Sequence, residues 1–416
     1  MYSGLTGKSG DDFRCDDDTK TKPFVPFTNV LNNTRIDFNQ FNRVVMEEGE
    51  QQNRVRENDL IFLMSSEDYE SIAKSAVVVG DPGEVYLNSF CRGLHFTRRG
   101  IYAPFVNYQL NAEQYRDALR FEARGFTRIN IKIDRVASQF IALPPYDEQL
   151  RIAEYLDEKC AAIDKCVVNL EQERGAYTRL KTSIINRAVI RGLDPNVPFR
   201  DSGIDWIGKI PAHWKITRVK SEFTVKGRIG WKGLRSDEFE TNSYAYLVTG
   251  QDFRGSEISW QDCYQINKER YDEDPFIQIK NGDILVTKDG TIGKIAKVTN
   301  LDKSACLNSG IFVMRQVNDD VFAQNYLYWL LVSKELTSFN EITKTGATIA
   351  HLYQNVFERM PMTLPPLPEQ NEIADYLDRI CGEIDATIKY VDKQIDAYKR
   401  LKKSLINEVV TGKRAV

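Results

Sequence analysis

The sequence predicts an α+β chain in which two globular mixed α/β domains are separated by two long, near-duplicate helices packed as an antiparallel coiled coil. Three observations predict it. The chain repeats itself at a shift of 221 residues, each copy of the repeat carries apolar residues at every seventh position, and the segments outside the repeat hold short β-type runs. The expected division is 1–142 and 192–363 for the globular domains, closed by helical segments 143–191 and 364–416.

The first globular segment is rich in Gly and aromatics, with strand-like runs at Leu60-Ile61-Phe62-Leu63 and Ala76-Val77-Val78-Val79. It gives way to Leu143-Pro144-Pro145-Tyr146-Asp147-Glu148-Gln149, which returns as Leu364-Pro365-Pro366-Leu367-Pro368-Glu369-Gln370. The match then runs on without a gap, and about 22 of 47 aligned positions are identical. Proline and an acidic residue suit a helix's first turn, the one by its fixed φ and the other through the helix dipole. Leu156, Ile163, Leu170, Tyr177 and Ile184 follow at heptad spacing, matched by Leu377, Ile384, Val391, Tyr398 and Leu405. A second seam holds Ile152, Cys160, Val167 and Leu180, matched by Ile373, Cys381, Ile388, Ile395 and Leu401. A helix of about 42 residues is roughly 60 Å long, too long for one small domain to cover. The two helices are therefore expected to pack on each other.

The second globular segment has its own run, Ile284-Leu285-Val286, and echoes the first faintly. Asn58-Asp59-Leu60-Ile61 resembles Gly282-Asp283-Ile284-Leu285, Leu87-Asn88-Ser89 resembles Leu307-Asn308-Ser309, and Gly125 falls on Gly346. One fold carrying two different surfaces is expected. The second segment opens on Ser202-Gly203-Ile204-Asp205-Trp206-Ile207-Gly208-Lys209-Ile210-Pro211-Ala212-His213-Trp214, which has no counterpart in the first, so the first domain is expected to be shortened at its amino-terminal end.

Composition narrows the function. With 42% hydrophobic residues the chain can bury sizeable cores, no run of 18 apolar residues suggests a membrane span, and the expected compartment is the cytoplasm. Seven cysteines include no C-x-x-C pair and only three histidines are scattered along the chain, so neither a zinc site nor a disulfide framework is expected, and no metal or cofactor. A net charge of −3 excludes nucleic-acid binding by overall electrostatics. Any contact with DNA must come from local patches or be strengthened by partners.

Taken in order, the two L-P-P-x-x-E-Q helix starts, the S-G-I-D-W-I-G-K-I-P-x-H-W opening, and the Gly282-Asp283-Ile284-Leu285-Val286 strand with its Lys288-Asp289-Gly290 turn make the chain resemble the Type I restriction-modification DNA specificity subunits over essentially its whole length. The resemblance implies two target-recognition domains, each reading one half of a split sequence in double-stranded DNA. It implies that the paired helices act as spacer and as docking surface for two methyltransferase subunits, with endonuclease subunits joining the assembly. A protein-protein scaffold without sequence-specific DNA binding is the alternative reading.

Candidate DNA-contacting residues can be named. Arg116, Arg120, Arg124 and Arg128 recur every four residues, and the first three are expected on one helix face ending at Gly125. Such a row suits phosphates. A solvated face paired with Asp117 and Glu122 is the plainer reading of the same arginines. The next loop, Arg124-Gly125-Phe126-Thr127-Arg128, aligns with Lys344-Thr345-Gly346-Ala347-Thr348, which makes Thr127, Lys344, Thr345 and Thr348 candidates too. In the second segment, Lys288 and Lys294 flank a Gly-rich turn whose Gly290 and Gly293 stand too close for a nucleotide-phosphate loop.

No catalytic residue is expected. Leu143-Pro144-Pro145-Tyr146 resembles the D/N-P-P-Y/F motif of amino-methyltransferases, but leucine has no oxygen to accept a hydrogen bond from a base's amino group, and Leu364 repeats the replacement. Nor is there a glycine-rich strand-to-helix turn at dinucleotide-fold spacing. Methylation and cleavage are expected in other chains.

Overall fold

The computed structural model describes residues 1–14, 20–228, 234, 238–318, 320–343 and 351–416. The chain is α+β and falls into two compact units, one made of Met1–Glu171 with Asp392–Val416, the other of Gln172–Val391. Two helices, Tyr146–Arg191 and Leu367–Val410, each contribute to both.

In the first unit a four-stranded antiparallel sheet runs in the order Tyr2–Ser3, Cys91–Leu94, Leu60–Leu63, Ser75–Val77. Its central strand is a continuous apolar run because both faces are covered. Leu60 and Phe62 face a core shared with the helices, while Ile61 and Leu63 face a second core that also holds Val25 and Leu87. A three-stranded sheet, Asn42–Val45, Thr21–Val25, Tyr86–Leu87, completes the domain.

The second unit repeats this plan. Its four-stranded sheet runs Phe223–Gly227, Ile311–Gln316, Ile284–Thr287, Ile295–Lys297, again antiparallel throughout. Ile284 and Val286 face the helix-side core, and Leu285 faces the other. Tyr2–Ser3 and Phe223–Gly227 occupy equivalent edge positions 221 residues apart. Tyr2–Ser3 thus fills one edge of the first sheet. The opening segment of the second unit adds a hairpin, Phe199–Asp201 with Lys209–Pro211, and a strand, Lys215–Arg218, paired with Pro361–Leu364.

Each core continues into the long helices. In the first unit Ile152, Leu156 and Ile163 pack with Leu405, Val409 and Val410, and Lys402 meets Asp164 at 2.6 Å while Lys399 meets Glu171 at 3.6 Å. Partner numbers run in opposite directions, so these segments are antiparallel. In the second unit Ile185, Ala188 and Val189 share a core with Ile373, Leu377 and Cys381, and Lys181 meets Asp385 at 2.6 Å. Lys402–Asp164 and Lys181–Asp385 are the same pair at the 221-residue shift.

Of the heptad positions, Leu156, Ile163, Leu377, Ile384, Val391 and Leu405 are buried, and Leu170, Tyr177, Ile184 and Tyr398 are half-buried. The second seam departs from expectation: Leu180 and Leu401 stand 48% and 51% exposed. Leu180 follows Leu156 by 24 residues, about 6.7 turns at 3.6 residues per turn, so it faces away from the row that Leu156 starts. Ile185, about eight turns on, lies on the row and is buried.

Candidate DNA-contacting surfaces

The sites are framed by one residue in each unit, the glutamine that closes the duplicated helix-start sequence. Gln149, buried at the start of the first long helix, accepts from the Tyr102 N–H at 2.9 Å and donates to the Gly100 and Pro144 carbonyls at 3.1 and 2.8 Å. Gln370 accepts from the Ala323 N–H at 2.9 Å and donates to the Val321 and Pro365 carbonyls at 2.9 and 3.0 Å. All four positions of each set differ by 221. One amide side chain thus fixes each helix start to the preceding domain, which accounts for the Gln of the duplicated helix-start sequence. Asp157 and Asp378 repeat the pattern one level along, accepting from the Tyr108 hydroxyl at 2.7 Å and the Trp329 indole N–H at 2.8 Å. The opening of the second segment serves the same end. Trp214, fully buried, donates its indole N–H to Glu369 at 3.0 Å, and His213 contacts the same carboxylate at 2.8 Å.

On this frame the four arginines of the first segment take different environments. Arg116 is 4% exposed, and its Nη2 donates to the Glu70 carbonyl at 2.8 Å. Burial, with Arg120 beside it, pulls its pKa down to about 10. A guanidinium so placed is out of reach of a phosphate. Arg120 lies in a carboxylate cluster, 2.5 Å from Glu70, 2.9 Å from Asp117 and 3.2 Å from Glu113. The helix that carries both runs Glu113–Glu122, and Glu122 pairs with Arg135 at 3.4 Å. Arg124 therefore lies beyond the helix rather than on its face.

Beyond this helix the chain forms a closed loop. Arg124 and Asn130 exchange backbone hydrogen bonds of 2.9 and 2.8 Å, and the Tyr69 hydroxyl donates to the Gly125 carbonyl at 3.2 Å. Gly125 sits at φ +146°, and a Cβ there would collide with the Arg128 carbonyl, so the loop closes this tightly only with glycine. Arg124 donates to the Phe121 and Ala123 carbonyls at 2.5 and 2.7 Å. Arg128 donates from Nε to Ser65 Oγ at 3.0 Å and lies 4.2 Å over the Phe90 ring. Neither guanidinium meets a carboxylate among the described residues, and Thr127 is exposed between them. The structure thus sets Arg124, Thr127 and Arg128 together and turns Arg116 and Arg120 inward.

In the second unit the Gly-rich turn is built on Thr287. Its buried hydroxyl donates to the Thr291 carbonyl at 2.6 Å and accepts from the Lys294 N–H at 2.9 Å. Gly290 and Gly293 adopt φ of +67° and +82°. Lys288 lies 5.3 Å over the Phe312 ring, while exposed Lys294 reaches the Gly250 carbonyl at 3.4 Å. A cleft of about 700 Å³ opens beside the turn, lined by Gln251, Asp289, Lys294 and Asn308 together with Phe239 and Tyr264. Lys344, Thr345 and Thr348 lie outside the described residues. Among the described cysteines, burial raises the thiols of Cys91 and Cys263 to about 12 and those of Cys160, Cys306 and Cys381 to about 11, which keeps them protonated.

The architecture defines a class of protein: a duplicated α+β frame in which each unit seats its own loops on an antiparallel pair of helix segments. Residues 212–395 match the family model of the Type I restriction modification DNA specificity domain. The chain is thus similar to Type I restriction-modification specificity subunits, by the family model within the second unit and by relatives over nearly its whole length. It is 22% identical to the putative type I restriction enzyme MjaX specificity subunit of Methanocaldococcus jannaschii, over 99% of this chain and 90% of that one. It is 20% identical to the type I restriction enzyme EcoKI specificity subunit of Escherichia coli, over 86% of this chain and 75% of the relative. Among solved structures, a chain from a study of type I restriction-modification assembly and conformational transition superposes with a TM-score of 0.73 at 16% identity, covering 94% of this chain and 91% of that one. The HsdS subunit from Thermoanaerobacter tengcongensis gives 0.51 at 17% identity, with 99% and 95% covered.

Proposed function

We propose that this chain is the DNA sequence-recognition subunit of a Type I restriction-modification complex, with segments 1–142 and 192–363 as target-recognition domains that each read one half of a bipartite site. The observation that carries the reading is the contrast between frame and loops. Gln149 and Gln370 make the same three hydrogen bonds at the same 221-residue offset, yet the loops carried by the two frames share little sequence. A duplicated support with diverged loops is what two readers of different half-sites require.

Within this reading Arg124, Thr127 and Arg128 contact DNA from the first domain, and Lys288 and Lys294 from the second, with Lys344, Thr345 and Thr348 as further candidates. Cations on phosphates position a domain, whereas donors and acceptors at base edges select sequence. The long helices fix the gap between the half-sites and dock two methyltransferase subunits, with endonuclease subunits joining the complex in the cytoplasm. The chain itself is non-catalytic, since Leu143 and Leu364 stand where an amino-methyltransferase needs an acceptor. The test is to co-express the chain with its neighbouring methyltransferase gene and map methylated bases across a genome. A split motif with a fixed gap of several base pairs is expected. A continuous motif, or none, overturns the proposal.

A further inference from the structure

Phe126 is 98% exposed at the tip of the loop closed by Arg124 and Asn130. An isolated exposed phenylalanine is ordinary, but this one is neither isolated nor carelessly held. Its loop is pinned at both ends by paired backbone bonds, at Gly125 by the Tyr69 hydroxyl, and at Arg128 by Ser65 and the Phe90 ring. Phe121, 77% exposed, lies 6.0 Å from the Arg124 guanidinium. Residues 123–133 contain Arg124, Arg128 and Lys132 and no acidic residue, in a chain whose net charge is −3. A loop closed by paired backbone bonds, whose exposed aromatic residue lies in sequence between two arginines, neither paired with a carboxylate among the described residues, matches a polyanion whose interior is a stack of flat rings. A partner protein would be matched by a broader apolar face or by complementary carboxylates.

We infer that Phe126 is a wedge that inserts between adjacent base pairs of one half-site, partly unstacking that step while Arg124 and Arg128 hold the flanking phosphates. The inference rests on the reading of segment 1–142 as a DNA-contacting domain. It adds a mode of recognition that hydrogen-bonding residues cannot supply: a step that opens easily accepts the ring at lower cost, so deformability is read alongside base edges. Because base–aromatic stacking is sequence-tolerant, the ring contributes affinity and a preference for a flexible step rather than for one base.

The test uses the full chain assembled with its methyltransferase partner and a duplex holding the mapped methylation motif, with 2-aminopurine placed at successive positions through both half-sites. The wild-type complex is expected to raise 2-aminopurine fluorescence at one step of one half-site. Phe126→Ala is expected to abolish that rise and weaken binding of the duplex roughly 10- to 100-fold, with the thermal midpoint unchanged because the side chain is in solvent. Phe126→Trp is expected to restore the signal and to show quenched tryptophan emission on binding. If Phe126→Ala binds as tightly as wild type and keeps the fluorescence rise, the wedge is wrong while DNA recognition stands. If it fails to assemble with the methyltransferase, the ring docks on protein and the wedge is equally wrong. If the wild-type complex prefers no duplex over competitor, the recognition reading fails and the wedge falls with it.

Discussion

Glu335 shows how a single side chain can bias one unit. It is buried at the start of the helix Lys334–Thr343, where its Oε1 is 3.3 Å from the Thr363 hydroxyl and its Oε2 has no partner among the described residues. Burial raises its pKa to about 8, against a partial lowering by its hydrogen bonds to Thr363. The folded value lies above that of the free carboxyl, so the stability tied to this group is complete below about pH 4.5. It is lost as the pH rises through about 8. Melting of the protein from about pH 5 to about pH 9 is expected to show a midpoint that falls by several degrees. Glu335→Gln, which keeps the shape and cannot ionise, is expected to flatten that fall; an unchanged slope in the variant would assign the pH dependence elsewhere. The 221-residue counterpart of Glu335 is Gln114, so the effect belongs to the second unit. The arginine row teaches the complementary lesson. Spacing by four places Arg116 and Arg120 correctly on one helix, but which neighbours bury them depends on Glu70, far away in sequence. Nothing in the local pattern separates a structural guanidinium from an exposed one. Gly125, by contrast, was legible as a turn, because tight loop closure demands a residue without a Cβ.

Among the elements, the long helices were the most legible, since duplication and apolar period are properties of the sequence itself. The heptad reading failed only at Leu180 and Leu401. A 3.6-residue helix drifts about 20° per heptad against a strict 3.5 repeat, and each helix end must also meet a globular core rather than only its partner helix. Ile185, Ala188 and Val189 consequently replace Leu180 on the buried row. Lys402 with Asp164 and Lys181 with Asp385 fix the pairing direction but lie at the surface, where such pairs contribute only about 0–1 kcal/mol each. The anchors are Gln149 and Gln370. Replacing Gln370 with Ala leaves a backbone N–H and two carbonyls without their partner, at a combined cost of roughly 2–4 kcal/mol. Hydrogen exchange at the Ala323 amide is expected to accelerate in Gln370→Ala, and at the Tyr102 amide in Gln149→Ala. Because each glutamine's bonds stay inside its own unit, neither substitution is expected to change exchange in the other unit. A response spread over both would mean that the two frames do not act independently. The strands were less legible. Leu60–Leu63 announces itself as a run buried on both faces, whereas Tyr2–Ser3 and Ser65–Ser66 are two residues long and exist only because a partner strand presents its edge.

For the whole molecule, the two breaks between units fall at equivalent places, after Glu171 in the first helix and after Val391 in the second, one residue from the 221-residue offset. The packing of the first helix start with the second helix end stays on one side of these points, and that of the complementary segments on the other. Four residues inserted at both breaks therefore leave every described core intact while extending each helix by about one turn, or roughly 6 Å. At about 3.4 Å per base pair along B-DNA, that corresponds to a gap wider by about two base pairs. Methylation mapping of the lengthened protein is expected to return the same two half-sites with a longer spacer between them. An insertion in one helix alone puts the paired segments out of register, so it is expected to abolish methylation rather than shift the gap. Altered half-sites in the doubly lengthened protein would mean that base selection depends on helix geometry, and would remove the helices from the role of spacer.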